Sequence, residues 1–152
     1  MNRNVKKIIF MFPLLLFGCK HTSPPVDEGV MTLAEQGDAA SQMKVALAFD
    51  REEDFAEAAL WYRKAAEQGV SQAQNNLGVM YKDGQGVRQD FSEAARWFQM
   101  AAQQNNTLAQ LNLGILYLQQ KDTTTAIHWL QQASQQGNSG AQRILQHLIK
   151  RP

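Results

Sequence analysis

One pattern of residues is written three times along this chain, and it constrains the fold more than any other feature. Each copy combines small, aliphatic and aromatic residues at fixed spacing. In the middle copy these residues are Ala73, Leu77, Gly78, Tyr81, Asp90, Ala94, Trp97, Ala101 and Ala102. The copies begin at residues 41, 73 and 109, and a partial copy begins at 141, so the period is 32 or 36 residues. A self-similar period of this length is typical of a solenoid of stacked units.

Each copy divides into two stretches with helical periodicity. Ala73, Leu77 and Tyr81 recur every four residues and form one stripe of a helix, and the stretch around Trp97 carries a wider apolar stripe. We therefore predict an all-α fold, a right-handed α/α solenoid of stacked antiparallel helix pairs. The predicted helices lie near residues 41–50, 55–68, 72–82, 91–104, 108–119, 123–136 and 140–149.

Residues that favour helix ends stand at the boundaries of these stretches. An aspartate precedes each second helix at a natural N-cap position, at Asp54, Asp90 and Asp122. Glycine or asparagine, which tolerate the left-handed conformation, follow the second helices at Gly69, Asn105 and Gly137. The middle copy has four extra residues between its helices, in a turn that contains Gly84-Gln85-Gly86-Val87.

The first residues of the chain have the composition of an export signal. Arg3, Lys6 and Lys7 precede a short apolar run at residues 8–17, which is too short to span a bilayer comfortably. The predicted organisation is a signal peptide at 1–18, a tether at 19–26, a half-repeat cap at 27–40, three repeats and a capping helix at 141–152. The repeats span residues 41–72, 73–108 and 109–140.

Leu16-Phe17-Gly18-Cys19 resembles the bacterial lipobox, in which a cysteine is lipidated and becomes the first residue of the mature protein. The resemblance implies lipid attachment at Cys19. Lys20, where an aspartate would retain the protein in the inner membrane, implies delivery to the outer membrane of a bacterial envelope, facing the periplasm. An ordinary signal peptide, or a membrane anchor with an incidental cysteine, is the alternative.

The combination of Leu77-Gly78-x-x-Tyr81, the Gly-x-Gly-Val turn, Asp90-x-x-x-Ala94-x-x-Trp97 and Ala101-Ala102 resembles the Sel-one-like repeat, a relative of the tetratricopeptide repeat. Members of this family are mostly adaptors and scaffolds that hold proteins or peptides. One subset resembles envelope lipoproteins that act as immunity proteins against secreted phospholipase toxins. The resemblance therefore implies a membrane-anchored protein- or peptide-binding scaffold, with toxin immunity as the alternative.

The residues give no support to an enzyme, a metal site or a cofactor site. Cys19 is the only cysteine, and no histidine or carboxylate recurs at metal-ligand spacing. The segment Gly84-Gln85-Gly86 is not followed by Lys-Ser or Lys-Thr, so it does not predict a phosphate loop. Without the three bases of the leader the formal net charge falls from +1 to −2, which disfavours a nucleic-acid partner. No small-molecule substrate is expected.

The aromatic residues recur at pattern positions, so we predict that they belong to the core rather than to a ligand platform. They are Phe49, Trp61, Tyr62, Tyr81, Trp97, Phe98, Tyr117 and Trp129.

In tetratricopeptide-like arrays the first helix of each pair lines a concave groove, and the resemblance places a partner there. The implied groove residues are Met43, Leu47, Asn75, Val79, Lys82, Leu111, Ile115, Leu118 and Arg143. Leu111, Ile115 and Leu118 share one helix face in addition to the core stripe, and such surplus apolar surface suits a peptide. The alternative is that a short solenoid covers these residues with its own cap or with a second copy.

Overall fold

A computed structural model describes residues 26–150, and within this range it contains α-helices and no strands. The eight helices are α1 (Glu28–Glu35), α2 (Ala39–Arg51), α3 (Phe55–Glu67), α4 (Ser71–Asp83), α5 (Phe91–Gln103), α6 (Thr107–Gln119), α7 (Thr123–Gln135) and α8 (Ser139–Ile149). The predicted all-α fold is confirmed, and the observed helix starts differ from the predicted ones by at most two residues. The predicted signal peptide and most of the tether, including Cys19, lie outside the described residues.

The helices stack in chain order, each packing against the helix before it and the helix after it. α2 with α3, α4 with α5, and α6 with α7 are the helix pairs of the three repeats. α1 corresponds to the second helix of a pair, and α8 corresponds to the first. This arrangement confirms the predicted solenoid of stacked helix pairs, because the core runs along the stack in contiguous clusters.

Close helix contacts within a repeat depend on small residues. A Cβ atom built on Gly78 would lie 2.6 Å from Cδ1 of the buried Phe98 ring, and one built on Gly114 would lie 2.7 Å from Cγ of Leu130. A methyl group at either position would collide with the second helix of the same repeat. The glycine that follows the leucine of the pattern is therefore a packing requirement.

The predicted helix boundaries are confirmed by their hydrogen bonds. The Asp90 carboxylate accepts from the backbone N–H of Ser92 at 2.9 Å and of Glu93 at 3.0 Å, and Asp54 and Asp122 cap α3 and α7 in the same way. Gly69, Asn105 and Gly137 all have positive φ. Glu53 and Lys121, in the short turns between paired helices, also have positive φ (61° and 64°), and their side chains gave no sign of it in the sequence.

The extra turn of the middle repeat packs against the preceding repeat. Gly84 ends α4 with φ 72°, and Gly86 has φ 67°. A Cβ atom on Gly86 would lie 2.0 Å from the carbonyl oxygen of Phe55, the first residue of α3. Only glycine allows this backbone approach, so the four extra residues join the second repeat to the first.

The predicted core position of the aromatic residues is confirmed. Trp61, Tyr62, Trp97 and Phe98 are buried, and the other four are half-buried against the core clusters. The Tyr62 hydroxyl donates to Oδ2 of Asp50 at 3.0 Å. Burial raises the pKa of the Tyr62 phenol well above its ordinary value, and the nearby Asp50 adds to the shift, so this tyrosine is a neutral structural group.

Candidate partner-binding surface

An open cavity with a volume of about 800 Å³ lies on the surface of the described chain between α6 and α8. Leu111, Ile115 and Leu118 of α6 line one side, and Ile144 and Leu148 of α8 line the other. All five side chains are half-buried. The first helices of two successive units therefore present a shared apolar surface that remains open to solvent.

Lysine, arginine and histidine side chains stand beside this apolar surface. Lys121, Arg143 and His147 line the same cavity, and no aspartate or glutamate lines it. The three are exposed, and within residues 26–150 no carboxylate forms a salt bridge with them. The cavity is therefore suited to a ligand that carries both apolar groups and negative charge.

The other predicted groove residues do not reach this cavity. Leu47 lies with Val26, Val30, Lys44 and Arg51 in a smaller depression of about 290 Å³ between α1 and α2. The surface implied by the family resemblance is thus divided between the two ends of the described chain.

Two predicted groove residues are buried beneath the surface. Met43 is 8 % exposed and packs in the first core cluster, and Asn75 is 6 % exposed. The Asn75 side-chain oxygen accepts from Nδ2 of Asn112 at 3.0 Å, which links α4 to α6. These two residues therefore present little surface to a partner.

Val79 and Lys82, in the middle repeat, are half-buried and line neither cavity. Val79 packs against the second core cluster, and Lys82 forms an ion pair with Asp83 at 3.0 Å. Between the two end cavities the first helices thus offer only scattered accessible groups.

A recurring glutamine pair, missed in the sequence, connects each repeat to the preceding unit. Nε2 of Gln74, in α4, donates to the carbonyl oxygen of Ala66 at 3.0 Å, and its Oε1 accepts from Nε2 of Gln104 at 2.7 Å. Gln42 with Gln68, and Gln110 with Gln136, form the same arrangement. We call each such pair a glutamine clasp. Glutamine recurs at both positions with the repeat period, and that periodicity was the available signal.

The described residues contain neither a metal site nor a membrane span. No group of three or more histidine, cysteine or acidic side chains within residues 26–150 is close enough to hold a metal ion. No helix in the same range is long and apolar enough to cross a bilayer.

The fold and the surface together define a class: helical-repeat solenoids built from paired helices of about 30–40 residues per unit, which hold partners on an extended surface. The sequence model of the Sel1 repeat matches residues 39–70, 71–106 and 107–138. The chain belongs to the Sel1 repeat family, whose repeats are helical scaffolds for protein interactions.

Solved structures support this membership. A Sel1 repeat protein from Oxalobacter formigenes is 30% identical with a TM-score of 0.68, over 78% of this chain and 96% of that one. A protective antigen present in uropathogenic Escherichia coli strains, which displays an SLR fold, is 35% identical over 80% of this chain, with a TM-score of 0.77. This chain spans only 28% of that antigen. No curated protein matches the sequence.

Proposed function

We propose that the protein is an envelope scaffold that binds a protein or peptide partner in the cavity between α6 and α8. The observation that carries this proposal is the combination of an open apolar surface between two first helices with the exposed Lys121 and Arg143 beside it. In the first two repeats the equivalent positions are buried, as at Met43 and Asn75, or lie on other surfaces, as at Leu47, Val79 and Lys82. An extended or helical segment with apolar residues and carboxylates would fit this surface.

The accessible chemistry of the cavity favours a macromolecular segment over a substrate. Its lining is mostly aliphatic, and it contains no nucleophile paired with a general base. The binding energy would come from Leu111, Ile115 and Leu118, since central apolar anchors commonly dominate such interfaces. Arg143 and Lys121 would select the charge of the partner and increase the rate of association.

Capture from envelope extracts tests this proposal. The variant Ile115→Glu with Arg143→Glu should remain folded and lose capture of the partner, with a loss of at least about 2 kcal/mol when the partner is purified. Leu60→Glu is the matched control, because Leu60 is 54% exposed on α3, away from the cavity. Equal capture of the partner by the double variant and by the control would show that the cavity is not the binding site.

We further propose that Cys19 carries a lipid that holds the protein at the outer membrane, facing the periplasm. The sequence around Cys19 supports this anchor. Cys19→Ala should abolish labelling by a fatty-acid analogue and release the protein from the membrane fraction. Retention of the unlabelled variant in that fraction would show that another segment holds it.

Toxin immunity would be one form of the same activity, with a secreted phospholipase as the partner. The identity of the captured partner distinguishes it from a general scaffold. An envelope-assembly component supports the scaffold, whereas a phospholipase whose activity falls when the protein binds supports immunity.

A further inference from the structure

We infer that the two ends of the solenoid bind each other in head-to-tail fashion, so that α8 of one copy and α1 of a second copy form a complete repeat. This interaction uses a different face of α8 from the cavity described above. It uses the stripe Gln142, Leu145, Gln146 and Ile149. In the middle repeat the counterparts of two of these residues, Gln74 and Gly78, contact the second helix of the same repeat or its C-cap.

The ends of the described chain are complementary halves of one unit. α1 occupies the position of a second helix, and no first helix precedes it within residues 26–150. α8 occupies the position of a first helix, and no second helix follows it in that range. Each interior helix packs on both sides, whereas α1 packs on α2 and α8 packs on α7.

Both ends expose apolar residues at positions that interior repeats bury more deeply. Leu33 of α1 is 50% exposed, and the equivalent Ala65 and Ala101 are fully buried. Ile149 of α8 is 82% exposed at the position of Tyr81 and Tyr117, which are half-buried. The capping units of a solenoid usually have a polar outer face, so two exposed apolar residues are unusual at the ends of the described stack.

Leu145 shows the same difference at the C-terminal end. It is half-buried, whereas the equivalent Leu77 and Leu113 are fully buried in their repeats. A helix that docks on the stripe of α8 would cover Leu145 and Ile149 together, because the two residues are four positions apart on one face.

The glutamine clasp is divided between the two ends. Gln142 occupies the position of Gln74 and Gln110, and within residues 26–150 its Oε1 accepts no hydrogen bond from another glutamine. Gln36 occupies the position of Gln68 and Gln104, at the end of α1. Docking α1 of a second copy on α8 would place its Gln36 beside Gln142, where the interior clasps have amide contacts of 2.7–2.8 Å.

Charge favours the same pairing. Residues 27–38 contain four acids and no lysine or arginine, namely Asp27, Glu28, Glu35 and Asp38. Residues 139–150 contain Arg143 and Lys150 and no acid. Opposite charges at the two ends attract in a head-to-tail arrangement, whereas a symmetric contact between two identical ends would place like charges together.

Sedimentation velocity of the full chain over a range of concentrations tests this inference. The sedimentation coefficient of the unmodified protein should rise with concentration. Leu33→Glu blocks the N-terminal end and Ile149→Glu blocks the C-terminal end, so each variant alone should associate at least about tenfold more weakly. Both side chains are exposed, so both variants should keep the helical spectrum and melting temperature of the unmodified protein. Leu60→Glu, equally exposed on α3, should associate normally.

Mixing the two end variants is the decisive step. Each retains the end that the other has lost, so an equimolar mixture should form a species of two chains and nothing larger. If the mixture stays monomeric while the unmodified protein associates, the two intact ends do not bind each other and the inference is wrong. It is also wrong if the unmodified protein is a single chain at every concentration, or if either variant alone associates normally.

Discussion

Gln74→Met tests whether the glutamine clasps contribute to the stability of the stack. Gln74 is 1% exposed, and methionine has nearly its length and shape, so the substitution removes hydrogen bonds with little change in packing. Two contacts are lost, one to the Ala66 carbonyl at 3.0 Å and one from Gln104 at 2.7 Å.

The structure limits how much stability the protein should lose when these hydrogen bonds are removed. The Ala66 carbonyl also accepts from the backbone N–H of Gly69 at 3.0 Å, and Gln104 is exposed, so neither group is left without a partner. We therefore expect Gln74→Met to lower the free energy of unfolding by the net contribution of the two hydrogen bonds, about 1–2 kcal/mol. Gln74→Glu should cost more, because a buried carboxylate oxygen would face the Ala66 carbonyl oxygen.

The measurement is thermal and urea unfolding followed by circular dichroism at the helical minimum. For a domain of this size the expected decrease in melting temperature for Gln74→Met is roughly 3–10 °C. Gln142→Met is the matched control, because Gln142 has the same repeat position but is exposed, and its contact with the Ser134 carbonyl is 3.5 Å. The control should change stability by less than about 0.5 kcal/mol. Equal effects of the two substitutions would refute the reasoning, since they differ mainly in burial and in the clasp.

Other predictions concern the core, the extra turn and a helix cap. Trp97→Ala should destabilise the protein by about 3–5 kcal/mol in urea unfolding, because this side chain is only 2% exposed; an unchanged midpoint would place it outside the core. Gly86→Ala should destabilise the protein more than Gly84→Ala in the same assay. Both positions have positive φ, but only a Cβ atom at residue 86 would collide with the α3 backbone. Similar losses of stability for the two variants would contradict this contact. Thr125 donates hydrogen bonds to the Asp122 carboxylate, chiefly from its side-chain hydroxyl and then from its backbone N–H, and they lower the pKa of Asp122 below its ordinary value of 3.8. The stability that this cap contributes should be complete above that value and should be lost as the pH falls through the lowered pKa. Asp122→Asn should therefore weaken the pH dependence of the free energy of unfolding, measured in urea between about pH 5 and pH 2. An unchanged pH dependence would show that the cap is not its source.

The elements of this fold could be predicted because their determinants are local. Periodicity places one stripe of each helix toward its neighbours, and Asp90 or Gly69 satisfies helix ends within three residues of itself. These signals act within one or two helical turns, so a single sequence contains them. The positive φ of Glu53 was missed for a different reason. It belongs to the local hydrogen bonds that close the end of α2, from Glu53 to Asp50 and from Asp54 to Phe49, and glutamate has no preference for that conformation.

The sequence by itself determined the repeat period, the helix pairs and their caps, because these follow from contacts between residues close along the chain. Only the tertiary structure decided which residues are open to a partner. Met43 and Ile115 both have an apolar side chain on a first helix, yet one is buried and the other lines a cavity. The difference arises from how the neighbouring helices pack over each position, which the pattern within a single helix does not specify.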